Sequence, residues 1–262
     1  MIRSAVAILV LCMASGCLAP APPPPVLPVE DPSLPGPAWY LELLIAPDRS
    51  AEDLALDTGR HPAEMLRFFG VVPGWKVAEL GAGTGYTTEL LAYAVGRSGH
   101  VWGQNPPFVL KRFAEKPWTE RLSKPRMRNV TRLDREFDDP FPEDVKGLDG
   151  VIFVLFYHDT VWQGVDRARM NREVFEALKP GGVYGIVDHS ARNGAGLADV
   201  QTLHRIEESV LRSEVEAAGF RLAGEASFLR APDDARDWNA APNEAGRRRG
   251  HSDRFVLKFV KP

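Results

Sequence analysis

The stretch Lys76-Val77-Ala78-Glu79-Leu80-Gly81-Ala82-Gly83-Thr84-Gly85-Tyr86 constrains the fold more than any other part of the chain. A short apolar run enters a loop with glycine at alternate positions, and Thr87-Thr88-Glu89-Leu90-Leu91-Ala92 then opens a helical pattern. Glycines spaced in this way let backbone approach a ligand more closely than any residue with a Cβ allows. Two familiar nucleotide loops fail on spacing. A GxGxxG fingerprint needs its third glycine at 86, which is Tyr86, and the GxxxxGK loop followed by Ser or Thr is absent. A tight strand-to-helix turn without ligand is the other reading of the stretch.

The rest of the body repeats the same alternation of apolar runs and helical patterns, the mark of a layered α/β domain with a largely parallel sheet. Candidate strands cover residues 76–80, 100–103, 130–133, 149–155, 183–187, 220–229 and 254–260, enough for one sheet. Pro62 suits the first turn of a helix that turns Met65, Leu66, Phe68 and Phe69 inward and stops at Gly70. A later helix is predicted to carry Val200, Leu203, Ile206, Val210, Leu211 and Val215 on one face and to end at Gly219.

The order Glu79-x-Gly81-x-Gly83-x-Gly85 resembles that of class I S-adenosylmethionine-dependent methyltransferases. The resemblance runs over residues 57–262. Leu178-Lys179-Pro180-Gly181-Gly182 is similar to that family's turn into its fifth strand, and the long connection 230–253 to its closing antiparallel hairpin. It implies a Rossmann-like α/β fold with a seven-stranded, mostly parallel sheet, helices on both faces and an antiparallel last strand. It also implies S-adenosylmethionine as cofactor. Glu79 would anchor the methionine end, and Gly81, Ala82, Gly83 and Gly85 would make room for the sugar and amino-acid parts. A carboxylate suits a ligand that carries a sulfonium and an ammonium and would repel a pyrophosphate. Relatives commonly end the second strand with an acid that holds the ribose, whereas this chain offers the amides of Gln104 and Asn105. Asp134 stands where the family contacts the adenine amino group, or is a solvated acid in the charged run 134–139.

Methyl transfer is an in-line displacement, so holding the acceptor supplies much of the acceleration. The predicted end of the fourth strand reads Leu155-Phe156-Tyr157-His158-Asp159-Thr160. Phe156 or Tyr157 would wall the sulfonium with an aromatic face, and His158 is the best-placed general base, beside Asp159. In the other reading Asp159 or Thr160 caps the next helix and His158 is a loop residue. Asp188 and His189 close the fifth strand on the same cleft, but no HxH or HxxxH spacing supports a metal there, and none is expected. Arg60 and His61 would fold over the acceptor pocket, while His204, Arg205 and Glu208 are placed on the helix after the fifth strand. Arg247-Arg248-Arg249 reads as a solvated loop.

Residues 1–16 read as an export signal: Arg3, an apolar run, then small residues. Ala14-Ser15-Gly16-Cys17 resembles the lipobox of bacterial lipoproteins, which implies lipid on Cys17, and Leu18 in place of Asp implies the outer membrane. Residues 17–38 hold Pro22 to Pro25 and read as a polyproline spacer before a domain over 39–262. If Met13 or a later residue is the functional start, the protein is cytoplasmic. A net charge of −3 makes nucleic acid a poor default partner. Both cysteines, Cys12 and Cys17, precede the domain, so disulfides, thiolate metal sites and cysteine catalysis are excluded from it. The expected function is methylation of a small-molecule acceptor at the cell envelope, reaching the membrane only through the lipid. An exported ligand binder or scaffold on the same fold is the alternative, because S-adenosylmethionine is made in the cytoplasm. Neither the acceptor nor the oligomeric state is written in the chain.

Overall fold

A computed structural model describes residues 34–262 of the chain. The export signal, Cys17 and most of the proline-rich spacer lie outside the described residues. The first helices are α1 (Pro37–Glu42), α2 (Ala51–Arg60) and α3 (Pro62–Phe69). Then come β1 (Lys76–Leu80), α4 (Tyr86–Val95) and β2 (His100–Asn105). A short α5 (Pro107–Val109) runs on through residues 110–114 into α6 (Glu115–Leu122), before β3 (Val130–Asp134) and β4 (Leu148–Val154). The second half holds α7 (Tyr157–Trp162), α8 (Arg167–Ala177), β5 (Leu178–His189), α9 (Glu208–Ala217), β6 (Arg221–Ala226) and β7 (Arg254–Val260).

The strands form one seven-stranded sheet in the order β3-β2-β1-β4-β5-β7-β6. All pairs from β3 to β5 are parallel, and β7 runs antiparallel between β5 and β6. The sheet is covered on both faces, so neighbouring residues of one strand enter different cores. Val77 and Ile152 pack with Leu66, Phe69 and Leu91 on one side. On the other side Ala78 and Val151 pack with Met170, Val174, Leu211, Phe255, Leu257 and Phe259. Strands buried on both faces read as continuous apolar runs, as 151–155 does.

The expected strands all form, most with shifted ends. β2 runs on through Gln104 and Asn105, which pair in register with Leu133 and Asp134. The α3 helix forms as expected, with Gly70 at φ 81° as its stop. The long helix expected over 200–215 does not form: α9 begins only at Glu208. Ile206 instead bridges to Ser190, its N–H donating to the His189 carbonyl at 3.0 Å, and Arg205 is buried against Asp234. These tertiary bonds outweigh the three-to-four apolar spacing. His204 and Arg205 therefore lie before the helix, not on it. Among the described residues no helix is long and apolar enough to cross a membrane.

Candidate active site

The strand order reverses between β1 and β4, and open α/β sheets bind ligands outside the carboxyl ends of the strands at such a point. Glu79 and the glycine loop stand on one side of it, and residues 155–159 on the other. Gly81, Gly83 and Gly85 all take positive φ, at 62°, 57° and 87°. Gly81 has a second reason to lack a side chain: a Cβ there would lie 3.0 Å from the Phe156 ring. At Gly85 a Cβ would run into the fully buried Trp118.

Gln104 and Asn105 hold this loop rather than face open space. The Gly81 N–H donates to Gln104 Oε1 at 3.0 Å, and Gln104 Nε2 donates to the Arg135 carbonyl at 2.6 Å. Asn105 accepts from the Gly83 N–H at 2.7 Å and returns a bond to the Gly83 carbonyl at 3.0 Å. Both amides are fully buried and used at both ends. Asp134 is exposed, and its carboxylate is taken by Arg132 at 2.7 Å.

Glu79 is buried and accepts a hydrogen bond from Thr88. Burial pushes its pKa up to about 7, against the pull of Thr88, Thr87 and the Arg60 guanidinium. Arg60 stacks 4.5 Å over the Tyr86 ring, and burial holds its own pKa below the ordinary value. The cavity here is about 10 Å³, lined by Arg60, Tyr86, Thr87, Leu155 and Arg254 among others. That is room for about one water. The α2 helix straps this corner down. Asp57 accepts from Tyr86 at 2.6 Å and pairs with Arg49, while Asp53 pairs with Arg121, whose Nε donates to the Thr84 carbonyl at 2.7 Å. His61 lies just beyond, at φ 46°, beside Glu64.

Across the switch point, β4 ends at Val154 and Leu155 turns the chain with φ 58°. A bulky residue in that region costs about 1–2 kcal/mol, and the turn sets Phe156 on the glycine loop and starts α7. Tyr157 faces away from the cleft: it is fully buried in the second core and bonds Glu214 and Asn171. The expectation that it walls a ligand is corrected, because its ring packs on Phe153 behind the sheet. Asp188, not Asp159 or Thr160, satisfies the start of α7, accepting the His158 N–H at 2.8 Å, and Asp166 caps α8.

His158 is buried, with Nδ1 2.6 Å from Asp188 Oδ1. Its Nε2 lies 3.2 Å from His204 Nδ1 and 3.3 Å from Asp159 Oδ1. Burial opposes charge on the ring, yet Asp188 and Asp159 outweigh it and push the pKa up to about 10. Both ring nitrogens are engaged, so service as a general base would require the Nε2 contacts to Asp159 and His204 to open. Burial also opposes the Asp159 charge, but His158, His204 and the Trp162 indole hold its pKa well below the carboxylate range. Burial and nearby cations hold the His189 pKa well below its ordinary value, and its Nδ1 lies 2.7 Å from Ser252 Oγ. His204 joins the cluster from a loop 46 residues away in the chain. No local spacing signals that meeting.

Solved structures similar to this chain include an S-adenosylmethionine-dependent methyltransferase from Aquifex aeolicus, at TM-score 0.58 and 17% identity, covering 87% of this chain and 99% of that one. Another, from Mesorhizobium loti, has TM-score 0.54 and 18% identity over 78% of this chain and 98% of that one. The cyclase SpnF matches at TM-score 0.55 and 19% identity, over 82% and 83%. No protein-family model matches the sequence, and no curated protein matches it. At these identities the likeness is one of fold, which by itself leaves the chemistry open. The chain has the Rossmann-like fold found in S-adenosylmethionine-dependent methyltransferases.

Proposed function

We propose that this protein binds S-adenosylmethionine and transfers its methyl group to a small-molecule acceptor. The observation that carries the reading is Glu79, a buried carboxylate at the end of β1, beside the glycine loop and at the topological switch point. Such a group suits the ammonium of the methionine end, which would return Glu79 to its charged form. Gly81 and Gly83 supply close backbone approach, and Phe156 offers an aromatic face beside them. The ribose end fits less well. Gln104 and Asn105 already hold the loop, so a bond to a sugar hydroxyl requires exchanging one that is made here. Entry also requires Arg60 and the end of α2 to yield, since the cavity between Arg60, Tyr86 and Leu155 is far smaller than a nucleoside.

In this reading the acceptor approaches from the ends of β4 and β5, where Asp159 and His204 are partly exposed. Calorimetric titration with S-adenosylhomocysteine tests it. Micromolar binding that Glu79→Ala abolishes, with an unchanged circular dichroism spectrum, is expected. Unchanged affinity in that variant would remove Glu79 from the site. We also propose that the domain is exported and tethered through lipid on Cys17, and mass spectrometry of the mature amino terminus checks this.

A further inference from the structure

We propose that His158, Asp159 and His204 form a binding site for a divalent transition metal of the zinc class, with one coordination position left open. His158 Nε2, Asp159 Oδ1 and His204 Nδ1 lie 3.2, 3.3 and 3.1 Å apart pairwise. Ligand bonds of about 2.0–2.1 Å at tetrahedral angles place neighbouring ligand atoms about 3.3–3.4 Å apart. The triangle therefore has the size of one face of a metal tetrahedron. Two imidazoles and a carboxylate are also a donor set that first-row divalent ions take.

The surroundings fit the same reading. Asp188 Oδ1, 2.6 Å from His158 Nδ1, favours the tautomer that keeps the proton on Nδ1 and presents the Nε2 lone pair to the cluster. A metal bound there would hold His158, Asp159 and His204 together in place of the contacts they make with one another here. The Trp162 indole donates to Asp159 Oδ1 at 2.8 Å and steadies that carboxylate. His204 is held at φ 51° beside buried Arg205, an unusual backbone state for a residue with a side chain. Its side chain is 24% exposed against 3% for His158, so the cluster opens to solvent on that side.

The role of the open position rests on the methyl-transfer reading. It would take an acceptor hydroxyl or thiol and ease loss of its proton to solvent. The acceptor atom then bonds to the methyl carbon as the carbon–sulfur bond of the sulfonium breaks, releasing S-adenosylhomocysteine.

The test is a cobalt(II) titration of the chelator-stripped protein, read by visible absorption. One equivalent should saturate the bands, and zinc should displace them. His204→Gln and Asp159→Asn should each weaken binding at least about tenfold, and Asp188→Asn by roughly 10–100-fold. Thermal melts establish that each variant is folded, and His204→Gln is the safest because its side chain is partly exposed. Absence of the bands, or the same affinity in folded His204→Gln, would overturn the site. S-adenosylhomocysteine titration is a separate readout: cobalt binding without it would support the metal site and overturn the methyl-transfer reading.

Discussion

The two sides of the switch point are built from different chemistry. The glycine-loop side is held by neutral amides, Gln104 and Asn105 bonding backbone at both ends. The opposite side is held by charge, with His158 between Asp188 and Asp159. Amide staples fix backbone without adding charge, and Glu79 beside them is drawn toward ionisation by Thr88, Thr87, Arg60 and Arg121 against its burial. An ion-paired cluster draws on residues far apart in the chain and depends on each member. A cleft can thus combine a rigid floor with a responsive wall.

The largest expected effect strikes the floor. Trp118→Ala removes the ring packed against Gly85 and Gly103 and should cost about 3–5 kcal/mol, read by denaturant unfolding. A loss under about 1 kcal/mol would show that the loop does not lean on that ring. On the wall, Asp188→Asn should cost about 3 kcal/mol, because it leaves the His158 charge buried with one partner fewer. Gln104→Leu should cost about 1–3 kcal/mol by orphaning the Gly81 N–H, and should weaken S-adenosylhomocysteine binding along with it. A variant that loses stability but keeps affinity would separate the floor from the ligand.

The pH dependence of binding is a smaller effect. Glu79 has a pKa of about 7 in the folded chain against an ordinary 4.5, so the folded state holds its proton over that interval. Its contribution to stability is greatest at low pH and declines as pH rises through that interval. A cationic ligand needs the ionised form. Affinity should fall about tenfold per pH unit below about 7 and level off above it, with a proton released on binding. Titration in buffers of different ionisation heat measures that proton. An affinity independent of pH between about 5.5 and 7 would place the ligand away from Glu79.

Much of the floor was legible in the chain because its parts are contiguous. Lys76 to Tyr86 holds strand, turn and helix start in one stretch, and β1 and β7 occupy the residues expected of them. The wall was not legible in the same way. His158 and His204 were both singled out, but their meeting depends on the loop before α9, where tertiary bonds replaced the expected helix. Tyr157 misled for a related reason: a strand end marks the cleft, yet only the Leu155 turn decides which neighbour faces it. The roles of Gln104 and Asn105 were hidden too, since an amide that binds a sugar and one that binds backbone look alike in sequence.

Arg60 gives the cleft a further property. Its guanidinium lies over Tyr86 and close enough to Glu79 to draw that carboxylate toward ionisation. A cationic ligand arriving at Glu79 would therefore meet a second positive charge close by, and the corner would weigh the carboxylate's attraction against the repulsion from Arg60. Selectivity in such a corner is set by the balance of those two terms, so an uncharged mimic of the ligand would forgo the attraction and escape the repulsion alike.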